Sequence, residues 1–462
     1  MRRGPHKAKS DARAVAAEVL AALHTEPSAR ASERLAQALA AMRPNRAPTE
    51  AARGTQDDLA QQNLQRDRAL ATELVYGVLR WRRELERLLS PHLSRAIDRL
   101  EPLARAFLLV GTYQIAALSR IPPEVAVSAT QDAARTLGLD RITGLINAVL
   151  RKVVATGVGG ELSQRGLQSL PPWIAAELEA RYGAHAATEA NALRERARVI
   201  LRPNLFKGGL EAARVSLANE GLEVEVRPAP LSEVAAFAEP LLSDGGPARG
   251  MLTVAHGDPF ASRAYHEGLF VAQDPASLAI ADLIARLAEP GARVLDTCAG
   301  RGVKTTALLE LGFTVSAVDV GPGKLAELER VARRLGVDGN LERVLALDAS
   351  DAASLAPLGL FPVVLVDAPC SGLGTLRRHP EIAWRLEKAD VDKLVALQAR
   401  LMAAAAASVA PGGLLVYAVC TFVGREGRPP LPSGFEELWR LDVPPSSGLD
   451  AFQALVLRRS PT

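Results

Sequence analysis

Residues 292–310 read ARVLDTCAGRGVKTTALLE. A short run of branched apolar residues ends in Asp296, a turn with two glycines follows, and the segment continues with a helical pattern. Strand, glycine turn and helix in this order are typical of the first unit of a parallel α/β sheet, where the turn lets the backbone approach a ligand closely. We therefore expect a doubly wound sheet whose first strand ends at this turn.

Four further strand candidates alternate with helical patterns after this turn, as expected for parallel strands joined by crossover helices. They are TVSAVD at 314–319, LERVLALD at 341–348, PVVLVDAP at 362–369 and GGLLVYAVC at 412–420. Three of them carry an acid at or near the end: Asp319, Asp348 and Asp367. Ligands of such sheets bind outside the carboxyl ends of the strands, so we expect these acids and Asp296 to surround one crevice. Asp319, about 20 residues beyond the glycine turn, suits hydrogen bonding to ribose hydroxyls.

The glycine turn distinguishes between classes of nucleotide-binding site. Gly300 and Gly302 are present, but Thr305 stands where the G-x-G-x-x-G fingerprint of a nicotinamide dehydrogenase has its third glycine. The G-x-x-x-x-G-K pattern of a phosphate-binding P-loop is also absent. A dehydrogenase is the natural rival interpretation, and the turn disfavours it.

The 462 residues of the chain predict three domains. Up to residue 155 apolar residues recur at three- and four-residue steps, which indicates an all-α domain for 1–155. Its polar segment 43–63, which contains Pro and Gly, is expected to be flexible. Residues 171–270 mix helices with short strands such as ARVILRPNLF and LEVEVRP, an α+β pattern. Residues 271–462 form the doubly wound α/β domain.

Composition argues against several classes of protein. No uninterrupted apolar run reaches the roughly 18–20 residues of a membrane span, and no secretory signal is evident, so we expect a cytoplasmic protein with no membrane partner. We further expect a monomer. Three cysteines without C-x-x-C spacing, and seven histidines without an H-x-x-x-H pair, predict neither a disulfide framework nor a metal site. The formal net charge of +3 permits a nucleic-acid partner without requiring one.

Two of the cysteines follow neighbouring strand candidates. Cys370 lies in the loop after the fourth strand, and Cys420 ends the fifth. A thiolate beside a methyl-donor crevice can add to carbon 6 of a pyrimidine and make carbon 5 nucleophilic towards an electrophilic methyl group. A carboxyl group must stabilise the ring as charge develops at nitrogen 3, and Asp367 is placed for that. Cys298, inside the glycine turn, is expected to be structural.

These motifs resemble those of the RsmB branch (also called Sun or Fmu) of the RNA 5-methylcytosine methyltransferases. The similar segments are ELVYGVLR at 73–80, RIPP at 120–123, GLINAVLR at 144–151, LRPN at 201–204, DTCAGRGVKTT at 296–306, DAPCSGLGTLRRHPEIAW at 367–384 and LLVYAVC at 414–420. The first three are similar to the NusB-like domain of this branch. The resemblance implies a NusB-like, RNA-binding N-terminal domain and a Rossmann-like domain that uses S-adenosylmethionine to methylate carbon 5 of a cytosine in RNA, in this branch 16S ribosomal RNA.

The resemblance also implies roles for individual residues. Cys420 corresponds to the family's nucleophile, and Cys370 to the cysteine that assists release of the product. Contacts to S-adenosylmethionine would come from the glycine turn and from Asp319, Asp348 and Asp367. The turn residues are Cys298, Ala299, Gly300, Arg301, Gly302, Val303 and Lys304.

Departures from the family pattern leave a second function open. The family's first motif reads C-A-A-P-G-G-K, whereas this chain has CAGRGVK, with Arg301 and Val303 at altered positions. Cys420 is flanked by Val419 and Thr421 instead of Thr and Ser, and FVGREGRPPLPSG replaces the acidic stretch that normally follows. A non-catalytic RNA-binding or ribosome-assembly protein derived from such an enzyme is the alternative. DNA cytosine-5 methyltransferases use a Pro-Cys nucleophile, and by that comparison Cys370 would be the nucleophile. The presence of two cysteines favours the RNA family.

Basic residues are candidates for RNA contacts at two places. Arg377, Arg378 and His379 directly follow the Pro-Cys loop and are expected to face the mouth of the crevice. The all-α domain has a run of arginines within 66–87 and a basic N-terminal tail, which are candidates for phosphate contacts that position RNA without reading its sequence.

Overall fold

The computed structural model describes residues 11–26, 29–43, 55–158, 162, 166–239 and 249–461, without the side chains of 55–58. The chain divides into two compact units. The first comprises Met1–Ala175 together with His379–Arg385, and the second Ala176–Arg378 together with Leu386–Thr462. Among the helices of the described residues, none combines the length and the apolar character that a membrane crossing requires.

The first unit consists of α-helices joined by short loops and 3₁₀ turns. The helices are α1 (Ala12–Thr25), α2 (Ala31–Ala41), α3 (Thr55–Leu89), α4 (Pro102–Ala117), α5 (Pro123–Thr136), α6 (Asp140–Ala155) and, from a distant part of the chain, α16 (Ile382–Arg385). From Ala104 to Ala116 every residue of α4 is buried, because α1, α3, α5 and α6 pack around it. The predicted all-helical fold of the N-terminal part is confirmed.

The structure describes part of the polar segment 43–63. Residues 44–54, like the basic tail 1–10, lie outside the described residues. From Thr55 the chain is already helical, in the first turns of α3. Leu64 of this helix is buried in a cluster with Val15 and Met42. Helix α3 therefore extends into the described part of this segment, and the flexibility of the segment stays a prediction.

The smaller sheet of the second unit has four strands. They are β1 (Val199–Pro203), β2 (Glu223–Arg227), β4 (Met251–His256) and β5 (Phe270–Ala272). Their order is β2-β4-β1-β5, and all neighbours are antiparallel. The strands predicted in ARVILRPNLF and LEVEVRP are β1 and β2. Leu201, Leu252 and Phe270 of this sheet share an apolar core with Ala213 and Leu217 from the helix that follows β1.

The larger sheet has eight strands. They are β3 (Ala238–Glu239), β6 (Arg293–Asp296), β7 (Thr314–Asp319), β8 (Leu341–Ala346), β9 (Phe361–Asp367), β10 (Val409–Val419), β11 (Phe435–Val443) and β12 (Phe452–Arg459). Their order is β3-β11-β12-β10-β9-β6-β7-β8. Neighbours from β10 to β8 are parallel, which confirms the predicted Rossmann-like sheet. At the other edge β12, β11 and β3 are antiparallel, so the complete sheet is mixed.

Two apolar cores cover the two faces of this sheet. The remaining helices are α7 (Pro172–Tyr182), α8 (Ala186–Ala192), α9 (Gly209–Asn219), α10 (Pro230–Val234), α11 (Arg263–His266), α12 (Pro275–Leu287), α13 (Val303–Glu310), α14 (Pro322–Leu335), α15 (Ala352–Leu355) and α17 (Lys388–Ala407). Val294 and Val363 belong to the core that includes α12, whereas Leu295 and Val364 belong to the core that includes α17. Successive residues of a strand point to opposite faces, so each short apolar strand contributes to both cores.

The strand order reverses at β6. β7 and β8 lie on one side of it, and β9 and β10 on the other. The turn after β6 is hydrogen-bonded to both neighbours: Thr297 N donates to Leu365 O of β9 at 2.9 Å, and Ala299 N donates to Val318 O of β7 at 2.9 Å. Such a reversal leaves a crevice outside the carboxyl ends of the central strands. The fold therefore brings the loops after β6, β7, β9 and β10 together at the carboxyl ends of the parallel strands.

Gly302 is the point where this turn approaches α14. Its φ is +83°, a conformation that residues with a side chain rarely adopt. A Cβ at this position would lie 2.5 Å from Cγ of Leu328 in α14. Glycine is required here both by the backbone conformation and by the close packing.

A buried ionic cluster joins β1 to α13. The guanidinium of the fully buried Arg202 donates, at 2.9 Å each, to the carboxylate of Glu310, the hydroxyl of Thr306 and the carbonyl of Val303. A second buried arginine, Arg249, lies 3.7 Å from the same glutamate. A buried charge without a partner is costly, so this cluster holds the start of α13 against the smaller sheet.

We predict that Arg202→Met lowers the free energy of unfolding of the second unit by about 3 kcal/mol, because Glu310 would remain buried with only the longer contact to Arg249. Urea denaturation measures the change. Arg214→Met is the matched control, since Arg214 forms an exposed pair with Glu211 on α9 and its loss should leave the transition unchanged. Equal behaviour of the two variants would contradict a stabilising role for the cluster.

We predict that Gly302→Ala lowers the melting temperature more than Gly312→Ala does. Both glycines have a positive φ, so each variant carries a backbone cost of about 1–2 kcal/mol. Gly312 has open space where its Cβ would be, whereas Gly302 faces Leu328. Overpacking against Leu328 should therefore cost the Gly302→Ala variant about 1–3 kcal/mol more of its free energy of unfolding. Thermal unfolding followed by circular dichroism gives the comparison, and similar losses would argue against tight packing of the turn on α14.

Candidate functional site

The glycine turn after β6 has an open side at Gly300. A Cβ placed on this residue would have Cys298 O, at 3.9 Å, as its nearest neighbour. The Gly300 N–H donates to Asp319 Oδ2 at 3.0 Å, which ties the turn to the end of β7. Of the two residues that depart from the family pattern, Arg301 is half exposed and lies 3.5 Å from Glu327, and Val303 is also exposed. The departures therefore lie at the surface of the turn.

The acids at the strand ends have different environments. Asp296 is 1% exposed and accepts a 2.7 Å hydrogen bond from the Thr305 hydroxyl, and burial raises its pKa to about 7. The expectation that it faces the crevice was wrong, because it supports the turn from the inside. Asp319 accepts hydrogen bonds from the Gly300 and Gly321 amides and from Lys324.

Asp348 is exposed just beyond β8, and a hydrogen bond from the backbone of Ser350 lowers its pKa. Of the four predicted acids, it is the one that follows β8, the outermost strand of the parallel part of the sheet.

Among the residues that the structure describes, no group of three or more His, Cys, Asp or Glu side chains is arranged to hold a metal ion.

Asp367 and Lys304 form an ion pair at the centre of this edge. Lys304 belongs to the first turn of α13, and its Nζ lies 2.7 Å from Oδ1 of Asp367 at the end of β9. The ammonium group also lies 5.2 Å from the centroid of the Phe452 ring, a cation–π distance. Asp367 is about one-third exposed, so its carboxyl group is held by the lysine and still accessible.

The two cysteines of the neighbouring loops are in contact. Sγ of Cys370, after β9, lies 3.5 Å from Sγ of Cys420, after β10. The hydrogen bond with Cys420, followed by burial, raises the pKa of the Cys370 thiol. Burial, together with the charge of Asp296, raises the pKa of Cys298 in the glycine turn. The parallel pairing of β9 with β10 thus brings together the two cysteines predicted from the sequence to act as a pair.

A buried polar group that was not predicted from the sequence lies behind this pair. Glu426 is fully buried and accepts hydrogen bonds from Ser371, Thr421 and Gln398. Gln398 lies on α17, whose remaining buried residues are mostly apolar. One signal was available, since Glu426 is the only acidic residue between Cys420 and β11.

The basic residues after the Pro-Cys loop are engaged within the protein. Arg378 contacts Asp450 through Nε and Asp274 through Nη2, all at 3.0 Å. Arg377 is buried, with Nη1 3.5 Å from Leu449 O. His379 belongs to the first unit, where its Nδ1 lies 3.7 Å from Glu381. Their predicted contact with RNA stays a prediction, and the structure adds that both arginines have partners within the second unit.

Two family models match the chain in the order that the fold suggests. The model described as 16S rRNA methyltransferase RsmB/F matches residues 285–428. This range includes the five parallel strands β6 to β10 and part of the loop after β10. The NusB family model matches residues 10–155, the helical part of the first unit.

Curated relatives are similar over most of the chain. A ribosomal RNA small subunit methyltransferase B from Xanthomonas campestris pv. campestris is 33% identical over 365 residues, covering 79% of this chain and 78% of the relative. The protein of the same name from Xylella fastidiosa is 31% identical over 377 residues, covering 79% and 80%. That from Pseudomonas syringae pv. tomato is 31% identical over 410 residues, covering 85% and 83%.

A solved structure agrees with the fold. The crystal structure of PH0851 is similar over 98% of this chain and 99% of that one, with a TM-score of 0.70 and 20% identity. The fold, the two family models and the identity to curated relatives agree, and the chain belongs to the RsmB/F family of 16S rRNA methyltransferases.

Proposed function

We propose that this protein transfers the methyl group of S-adenosylmethionine to carbon 5 of a cytosine in 16S ribosomal RNA, through a covalent adduct with Cys420. The observation that carries the proposal is the 3.5 Å contact between the Cys370 and Cys420 sulfurs. Cys370 lies in the loop that directly follows Asp367, the last residue of β9. A mechanism with one thiol for addition and another for release requires two thiols at one place. The name shared by the curated relatives supports ribosomal RNA of the small subunit as the substrate.

The residues around the glycine turn fit S-adenosylmethionine. The open side of Gly300 allows a ligand to approach the backbone, and Asp319 is oriented by two amides and a lysine for ribose hydroxyls. We propose that the turn Cys298–Lys304, Asp348 and Asp367 complete the contacts. When bound, S-adenosylmethionine supplies the electrophilic methyl carbon.

The two cysteines have different tasks in this proposal. The raised pKa of Cys370 keeps its thiol protonated at neutral pH, so that it donates a hydrogen bond to the Cys420 thiolate. The Cys420 thiolate adds to carbon 6, and carbon 5 then forms the new bond to the methyl carbon while the bond from that carbon to the sulfonium sulfur breaks and leaves S-adenosylhomocysteine. For release, the carbon 5 proton passes to water and the carbon 6–sulfur bond breaks with its electron pair returning to Cys420. The hydrogen bond from Cys370 stabilises this leaving thiolate, and the aromatic ring is restored.

Asp367 and Lys304 act on the pyrimidine ring in this scheme. Addition of a thiolate to carbon 6 places negative charge on nitrogen 3 and the carbonyl oxygen, which the Lys304 ammonium group stabilises. The Asp367 carboxylate accepts a hydrogen bond from the 4-amino group of the cytosine and so holds the ring in place. Lys304 holds Asp367 by the 2.7 Å ion pair, so the carboxyl group has a defined position before the base arrives.

The non-catalytic alternative rests on the altered glycine turn. Arg301 and Val303 are exposed, whereas the open side at Gly300 and the packing of Gly302 on α14 follow from the backbone alone. The altered side chains therefore give no structural reason to expect loss of cofactor binding, and the catalytic proposal is preferred. We further propose that the helical first unit supplies phosphate contacts that orient the RNA.

We predict that Cys420→Ala lowers methyl transfer from labelled S-adenosylmethionine to 16S RNA by at least about 1,000-fold, as expected when a covalent nucleophile is lost. Binding of S-adenosylmethionine, measured by calorimetry, should be unchanged and serves as the control for folding. Bisulfite sequencing of the RNA product identifies the methylated carbon. Full activity of this variant would exclude Cys420 as the nucleophile, and tight cofactor binding by the wild-type protein would disfavour the non-catalytic alternative.

We predict that Cys370→Ala leaves the protein attached to RNA, because addition by Cys420 still occurs while release is impaired. The adduct should appear as a slowly migrating band on a denaturing gel after incubation with RNA and S-adenosylmethionine. The double variant Cys370→Ala/Cys420→Ala should show no such band. An adduct that persists in the double variant, or none in the single one, would contradict the division of tasks.

A further inference from the structure

The chain between β10 and β11 folds back beneath the two thiols. Cys420 is followed by a tight turn, in which Glu426 N donates to Val423 O at 3.1 Å. This turn brings Glu426 into the interior, where it is 0% exposed. Its backbone carbonyl accepts a 2.6 Å hydrogen bond from the hydroxyl of Tyr417 in β10, so both ends of the residue are held.

The carboxylate of Glu426 connects the two cysteine loops. Oε1 accepts from the Ser371 amide at 2.8 Å and from Gln398 Nε2 at 3.1 Å. Oε2 accepts from the Ser371 hydroxyl at 2.5 Å and from the Thr421 hydroxyl at 3.0 Å. Ser371 directly follows Cys370, and Thr421 directly follows Cys420. One buried group thus binds the residue next to each thiol.

These four partners are neutral donors, so the carboxylate is stabilised by directed hydrogen bonds with a fixed geometry. Hydrogen bonds to a charged acceptor are shorter and stronger than neutral ones, and a buried carboxylate that loses them pays a large desolvation cost. Gln398 also links the Cys370 loop to α17, because its amide donates to Pro369 O at 2.9 Å. Pro369 directly precedes Cys370. The loops are therefore bound to each other and to a long helix.

We propose that Glu426 is a positioning residue that fixes the Cys370 and Cys420 loops relative to each other and so sets the separation of the two thiols, an inference that rests on the proposed function. Substrate does not need to touch Glu426 for this effect. Addition and release occur at the same pyrimidine ring, so both sulfurs must stay within reach of it through the whole cycle. A rigid support beneath both loops meets that requirement.

The charge of Glu426 has a second effect on the same pair. The hydrogen bond with Cys420, burial, and the negative charges of Cys420 and Glu426 all raise the pKa of Cys370. The hydrogen bond with Cys420 is the largest of these causes, and the charge of Glu426 adds a smaller contribution to the pKa in the same direction.

The separation of the thiols can be measured without any methyl transfer. The full-length protein is equilibrated with reduced and oxidised glutathione, and the Cys370–Cys420 disulfide is quantified by peptide mass spectrometry. Each disulfide formed reduces one oxidised glutathione to two thiols, so the equilibrium constant gives the effective concentration of the pair. We expect Glu426→Gln to lower this constant by about tenfold or more, because two loops would gain freedom. Glu436→Gln, at an exposed glutamate of β11, is the control and should not change it.

A second variant keeps the test decisive if Glu426→Gln does not fold. Ser371→Ala/Thr421→Val removes the two hydroxyl donors and leaves the carboxylate in place, and it should lower the thiol equilibrium constant in the same direction. The conservative variant Glu426→Asp keeps the charge but is one methylene shorter. Its thiol equilibrium constant should lie between those of Glu426→Gln and the wild-type protein. Constants within twofold of wild type for all three variants would overturn the positioning role.

Kinetics distinguish positioning from a general loss of stability. Glu426→Gln should lower kcat for methyl transfer by about tenfold or more while leaving KM for S-adenosylmethionine unchanged, because the glycine turn is not among the contacts of Glu426. An equal change in both parameters would contradict the inference. If the wild-type protein transfers no methyl group, the proposed function fails, whereas the thiol equilibrium still tests Glu426.

Discussion

The parallel pairing of β6 with β7 on one side and β9 on the other is the constraint on which the site depends. Because β6 is where the strand order reverses, the loops after four strands end at one edge of the sheet. The turn after β6 is held there by amide bonds from Thr297 and Ala299 to the neighbouring strands. Its path is therefore set by the sheet and by glycine, and the two residues that differ from the family pattern, Arg301 and Val303, have exposed side chains.

Two buried polar clusters support this edge from behind. Arg202, from the smaller sheet, holds the start of α13, and Glu426 holds the loops that carry the two cysteines. The hydrogen bonds that these groups make oppose displacement, because moving Arg202 or Glu426 away from its partners would leave a buried charge unpaired. Both groups are fully buried, so they support the residues proposed to meet the substrate without being exposed themselves.

The parts of the fold predicted correctly were those with a strong local pattern. The five parallel strands are short runs of branched apolar residues, and the first unit repeats apolar residues at helical spacing. β11 was missed because exposed Glu436 and Glu437 interrupt its apolar residues, and it forms an antiparallel pair with β12 that no local signal specifies. Glu426 was missed because a single glutamate in a loop looks like a solvated charge until its partners are known.

Sequence alone determined the succession of the parallel strands along the chain, the glycine turn, and the placement of Cys370, Cys420 and the acids at the carboxyl ends of these strands, since each of these is written in a short stretch of chain. Tertiary structure decided which groups meet. The thiol contact joins residues 50 positions apart, and Arg378 reaches Asp274 across 104 positions. Packing of the sheet and its helices sets such distances, because a hydrogen bond between remote residues forms only where the surrounding core has already brought its two ends together.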